Sequence, residues 1–189
     1  MNRDKAFEIL SEYVESASLQ RHCFAVEAAM RAYAEHFDED IERWGMIGLL
    51  HDIDFEKYPD EHPNRAPEIL GSYGFDQDFI DTVLSHGLGE DKEKMRTTQV
   101  RKCLFAVDKM ASFIVAVALM RPTKLEGLAA SSVKKKIKDK AFAKAVDRDE
   151  LQASMEDLGM EMGEHVGIIV KGLVEQEEML QMQGLSLLG

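Results

Sequence analysis

Four ionisable residues interrupt apolar stretches of this chain, and their types suit a divalent metal. Asp108 lies in the run LFAVDKMASFIVAVAL. On a helix its neighbours are Leu104, Phe105, Ala111 and Val115, so its carboxylate points into packed hydrocarbon. An unpaired carboxylate there is costly or takes up a proton. It needs a cation, and Lys109 is expected to project from a different face; an arginine from elsewhere would serve the same need. His22 is similar, with Ser18, Ala25, Val26 and Ala29 around it, although a lone histidine in such company is more often a hydrogen-bonded core residue. His51 and Asp52 are adjacent in GLLHDID, at the end of an apolar helix. Consecutive helical positions diverge by about 100°, but where the backbone leaves the helical path both side chains can turn to one point. An imidazole nitrogen beside a carboxylate oxygen suits Mn, Fe, Co, Ni or Zn, with Mg less at ease. The dipeptide alone arises often by chance; the ordered set of four carries the weight.

The elements that would position these groups are helices. Of 189 residues 45% are hydrophobic but only 7% aromatic, and Met, Leu and Ala are common, a balance that favours helix–helix packing. Apolar residues recur at three- and four-residue spacing, predicting helices over about 2–15, 18–36, 39–51, 64–72, 76–86, 98–119, 125–138, 148–158 and 162–182. Ser18 is the expected cap of the second and Asp76 the start of the fifth. The long helix carrying Asp108 should stop before Arg121–Pro122. No segment alternates convincingly enough to be a strand. The expectation is an all-α bundle of eight to nine helices in a single domain, 1–189. Within it, a metal-binding core spans about 18–120, C-terminal helices occupy 121–184, and a frayed tail occupies 185–189.

Other classes are disfavoured. Two cysteines, Cys23 and Cys103, are too few for a disulfide framework and fit a reducing cytoplasm. The start, MNRDKAFEIL, lacks the apolar stretch of a signal peptide. The most apolar run, Met110 to Met120, is too short to span a bilayer, so no membrane role is expected. A net charge of −12 argues against a long nucleic acid. Residues 131–148 nevertheless concentrate seven cations, including Lys134, Lys136, Lys140 and Lys144, against two aspartates. One basic segment in an acidic chain suggests a small anionic ligand.

An inward histidine, an HD pair ending the next helix and an inward aspartate on a later long helix, in that order, resemble the HD superfamily of metal-dependent phosphohydrolases. The stretch HPNRAPEILGSYGFDQDFIDTVLSHG resembles the segment that supplies two further histidines in dinuclear members, here His62 and His86. The resemblance covers roughly residues 18–120. Beyond it, ALMRPTKLEGL and SVKKKIKDKAFAKAVDRDEL look like a bacterial HDIG-type subgroup of predicted hydrolases. The segment HDIDFEKYPDE departs from the HDIGK form of cyclic-dinucleotide phosphodiesterases: Asp54 replaces the glycine, Phe55 the lysine, and no GYP tripeptide follows. Cleavage of cyclic di-GMP is therefore not expected.

The resemblance implies one or two divalent transition-metal ions held by His22, His51, Asp52, His62, His86 and Asp108, with Asp52 bridging when two are bound. It also implies hydrolysis of a phosphate ester or anhydride in a small molecule, with a nucleotide as the first candidate, by metal-activated water. Asp54 and Glu56, close in sequence to the ligands, are candidate proton donors or orienting groups for a ligand histidine. Arg121, Lys124, Lys135 and Lys138 are candidates to bind the substrate's phosphate, although a lysine-rich helical face is usually just solvated. Two other functions share the ligand set: a di-iron oxygenase, as in some HD proteins, and a binding module whose metal is only structural. A homo-oligomer is compatible with the sequence.

Overall fold

A computed structural model of the chain describes every residue except 140, 143 and 145. The described residues form helices and turns, without strands. Among the described residues there are ten helices, where the sequence predicts about eight to nine: α1 Arg3–Tyr13, α2 Ala17–Phe37, α3 Ile41–Leu50, α4 Ala66–Ser72, α5 Gln77–Leu84, α6 Glu90–Met95, α7 Gln99–Leu119, α8 Ala130–Ile137, α9 Arg148–Leu158 and α10 Met162–Met182. The unforeseen one is α6. Its sequence, EDKEKM, has no apolar periodicity, and it is too short to show any. None of the helices is long and apolar enough to cross a membrane.

The centre of the bundle is α2, which packs against α3, α7 and α10. Two glycines set how closely its neighbours approach. A Cβ on Gly48 of α3 would lie 2.8 Å from the Val26 carbonyl oxygen, and one on Gly172 of α10 would lie 2.3 Å from that of Ala28. Only hydrogen fits at either crossing. The Gly48 contact matters for the site, because one turn later α3 ends at His51 beside the face of α2 that carries His22.

Local chemistry explains the helix ends. Asn2, Asp40, Asp76 and Asp147 each accept a backbone N–H of the first turn of the helix they precede. For α2 the cap is Ser16 rather than Ser18: its Oγ accepts from the Leu19 N–H. The stretch expected to open a helix near 125 is a run of turns, with Lys124 and Gly127 at positive φ, and α8 begins only at Ala130. The tail expected to fray at 185–189 is instead packed. Leu187 is buried, its N–H donates to Glu177 Oε2 at 2.7 Å, and the Ser186 hydroxyl donates to Oε1 at 2.7 Å. One carboxylate late in α10 thus straps the tail down, a long-range tie that a local reading cannot see.

Candidate metal centre

Six side chains from five parts of the chain meet at one buried point. His22 comes from the middle of α2, His51 and Asp52 from the end of α3, His62 from the turns after it, His86 from the end of α5, and Asp108 from the middle of α7. His22 Nε2 lies 3.2 Å from Asp108 Oδ1, 3.3 Å from Asp52 Oδ2 and 3.0 Å from His51 Nε2. On the other side, Asp52 Oδ1 lies 3.5 Å from His51 Nε2, 3.5 Å from His62 Nε2 and 3.4 Å from His86 Nε2. His62 and His86 present Nε2 atoms 3.2 Å apart. The two oxygens of Asp52 therefore reach into two donor groups.

This arrangement fits metal ions. Neighbouring donors at right angles around a first-row ion, each about 2.1 Å away, are separated by about 3 Å, close to the spacings above. His22, His51 and Asp108 could hold one ion, and His51, Asp52 and His86 form a second group with the same property. Among the described residues neither Asp52 nor Asp108 has a lysine or arginine ion-pair partner, so the arginine considered for Asp108 is not there. Each imidazole turns Nε2 inward because its Nδ1 is engaged: His22 with Ser112 Oγ at 2.7 Å, His51 with the Gly48 carbonyl at 2.8 Å, His86 with the Val83 carbonyl at 2.5 Å, and His62 with Asp54 Oδ1 at 2.7 Å. Such partners fix ring orientation and tautomer around a metal.

The electrostatics agree. Burial alone would raise the Asp52 carboxyl, but His51, His22 and His86 hold it well below the usual range. His22 and His51 do the same for Asp108 against its own burial. For His22 burial favours the neutral ring, yet hydrogen bonds and charge from Asp108 and Asp52 push it up to about 10. His86 is raised too, by Asp52. A proton on these rings and a bound cation would compete for the same nitrogens.

The remaining expected residues separate. Asp54 is fully buried and orients His62; its Oδ2 accepts the N–H groups of Arg65 (3.0 Å) and Ala66 (2.9 Å). With both oxygens engaged and no share in the cavity wall, it positions His62. Glu56 turns away: its Oε2 accepts the N–H groups of Glu15 (3.2 Å) and Ser16 (3.0 Å), at the start of α2. Arg121 lies beyond the end of α7, roughly 20 Å along the axis from Asp108 at 1.5 Å per residue, and donates to the Lys124 carbonyl. Lys135 and Lys138 are exposed, on and just after α8, which packs on α10 and α7. None of these four lines the metal cavity. Lys140 lies outside the described residues. His165, which does not fit the ligand order, is buried elsewhere, bonded through Nδ1 to the Tyr33 hydroxyl.

A cavity of about 540 Å³ opens on the cluster, walled by Asp52, His62, His86 and Asp108 and also by Lys92 and Lys109. Neither lysine was singled out by the sequence as a substrate contact. Lys109, expected on another face from Asp108, borders the same cavity and pairs with Glu150. Arg96 secures the His86 turn by donating to the carbonyls of Ser85 (3.0 Å) and Gly87 (2.8 Å) while its guanidinium lies over Phe105. Ser112 had a usable signal, since it stands one helical turn after Asp108 on the same face. Lys92 had none, because EDKEKM reads as solvated surface.

No curated protein and no solved structure matches the chain. Residues 19–112 match the model of the HD domain family, a span that opens just before His22 and closes at Ser112. With His22, the HD pair and Asp108 all inside that span and gathered at one point, the chain belongs to the HD-domain family.

Proposed function

We propose that the protein is a metal-dependent phosphohydrolase acting on a phosphate ester or anhydride of a small molecule, a nucleotide being the leading candidate. The observation that carries this is the convergence of six donors, with Asp52 between the rest and its two oxygens facing different histidines, beside an open cavity. His22, His51, Asp52 and Asp108 would hold one divalent ion, and Asp52, His62 and His86 a second, with Mn, Fe, Co, Ni or Zn better suited than Mg to so many imidazoles. Ions bound there would make water more acidic and offset charge on phosphoryl oxygens.

The chain's own residues supply the rest. Asp54, Ser112 and the carbonyls of Gly48 and Val83 hold the four rings in one orientation, so no reorganisation is needed at the moment of reaction. Hydrolysis adds a water oxygen to phosphorus and breaks the P–O bond to the leaving group. The electron pair stays on the leaving oxygen, which takes a proton from the solvent-filled cavity. The same ligands would serve oxygen chemistry on two irons, but the ammonium group of Lys92 in the cavity wall favours an anionic substrate. A purely structural metal would not require an open cavity at its edge.

The test is metal analysis of the purified protein, followed by phosphomonoester, phosphodiester and nucleotide substrates assayed with the metal found. Turnover that requires the metal and disappears in Asp108→Ala supports the proposal. Full metal content with no turnover of any phosphate substrate, or metal content unchanged in Asp108→Ala, defeats it.

A further inference from the structure

Helix α6 exposes Glu90, Asp91, Glu93 and Lys94, half-buries Met95 and buries one side chain, Lys92. Burying an ammonium is expensive unless a carboxylate is buried with it. Lys92 lacks such a partner: its Nζ donates to the neutral Asn64 Oδ1 at 2.8 Å, and the nearest carboxylate, Asp91, is 3.5 Å away with its side chain 76% exposed. An exposed partner at that distance contributes little. An ammonium has three donors, so at least one remains for something else, and Lys92 shares the cavity wall with Asp52, His86 and Asp108.

The surroundings are built to keep it there. A Cβ on Gly87 would sit 2.7 Å from Pro63 Cγ, with Lys92 Cγ in ordinary contact at 3.4 Å, so the absence of a side chain at 87 makes room for the Pro63 ring beside the lysine stem. Arg96 holds the flanking carbonyls. Lys109, by contrast, is neutralised by Glu150. At the mouth of the cavity stand two large apolar side chains in water, Leu88 at 66% and Phe55 at 45% exposed, with the Phe55 ring edge-on to His62 at 5.2 Å between centroids. Exposed apolar groups beside a polar site mark a ligand surface.

We infer that Lys92 is the substrate-anchoring cation of the metal site, binding a phosphate monoester dianion whose apolar or ring-bearing alcohol half lies against Phe55 and Leu88. This rests on the phosphohydrolase proposal and specifies its substrate class. A dianion leaves a charged oxygen for Lys92 after the ions are engaged; a singly charged diester does not, so the lysine selects between them.

The experiment measures inorganic phosphate binding by calorimetry, using protein loaded with Mn, alongside kinetics on 4-nitrophenyl phosphate, phosphoserine and bis(4-nitrophenyl) phosphate. In Lys92→Met, phosphate affinity and monoester kcat/KM should fall about 10- to 100-fold, the loss of a charge-assisted hydrogen bond. The change should appear mainly in KM and be clearly smaller for the diester, while bound Mn stays near wild type. Lys92→Arg should recover most of the loss. Phe55→Ala should raise KM for 4-nitrophenyl phosphate more than for phosphoserine. If Lys92→Met does not fold, Lys92→Gln, which can still bond Asn64, gives the same comparison. Phosphate affinity unchanged in either variant, equal losses for monoester and diester, or no phosphate binding by the wild type would overturn the inference. The two proposals fail differently. Wild-type protein that binds phosphate through Lys92 but hydrolyses no ester defeats the phosphohydrolase while supporting the anion site. Efficient hydrolysis that is indifferent to Lys92 does the reverse.

Discussion

Helix α2 carries two buried polar clusters that meet the same electrostatic problem in different ways. At Glu27 the buried carboxylate receives Arg3 Nε at 2.7 Å and Nη2 at 3.0 Å, Arg31 Nε at 3.0 Å and Gln176 Nε2 at 3.1 Å. The chain supplies its own cations, and the cluster ties α1 and α10 to α2. At His22, five residues earlier, Asp52 and Asp108 meet only imidazoles. Permanent guanidinium charges close the first cluster, whereas the second can be neutralised by protons or by metal. A buried carboxylate closed by arginines reads as structural; one surrounded by neutral-capable nitrogens reads as a cation site.

The contrast fails if the two clusters respond alike to mutation. Asp52→Ala should abolish metal binding and lower any metal-dependent turnover by on the order of 10³-fold or more, with folding retained; metal analysis and circular dichroism check both halves. Glu27→Ala should act oppositely, leaving Arg3 without its carboxylate and Arg31 with Glu42 alone and costing about 3–5 kcal/mol of stability in denaturant titration, while metal per folded chain stays unchanged.

His165 tests what a buried imidazole does without a carboxylate. Burial pushes it down to about 4, below the ordinary histidine value of about 6.5. As pH falls below 6.5 the unfolded chain takes up this proton first, so stability should drop between pH 6.5 and 4, by roughly 3 kcal/mol, and be unaffected by this group above pH 7. His165→Gln should flatten that part of the pH–stability curve; an unchanged slope would assign it elsewhere. Asp54→Asn loosens only His62 and should lower metal affinity or activity about 10- to 100-fold, seen as preferential loss of one ion. Smallest is Glu56→Ala, which removes an acceptor at the start of α2: about 1 kcal/mol or less in thermal melts, with kcat unchanged.

Much of the site was legible because burying charge leaves a mark in sequence. Asp108 inside LFAVDKMASF and His22 on an apolar face are anomalies of pattern, and the HD pair at a helix end supplies two donors at once. His62 and His86 came only through the family resemblance, since each sits in a turn where no periodicity applies. The substrate cations were misplaced for a related reason. Lysine density in 131–148 drew attention to α8, yet charge density says nothing about which face of the bundle a helix joins. Glu56 misled likewise: two residues beyond Asp54, it leaves the site because the backbone turns there.

The sequence by itself determined that this chain is helical and marked His22, His51, Asp52 and Asp108 as groups that a shared cation would suit, because periodicity and the cost of buried charge are local properties. Only the tertiary structure decided that Lys92 rather than the α8 lysines borders the cavity, that Asp54 holds a ring while Glu56 caps a helix, and that the tail is strapped to Glu177. Each of those depends on which distant segments come within a few ångströms, and that is set by how whole helices pack.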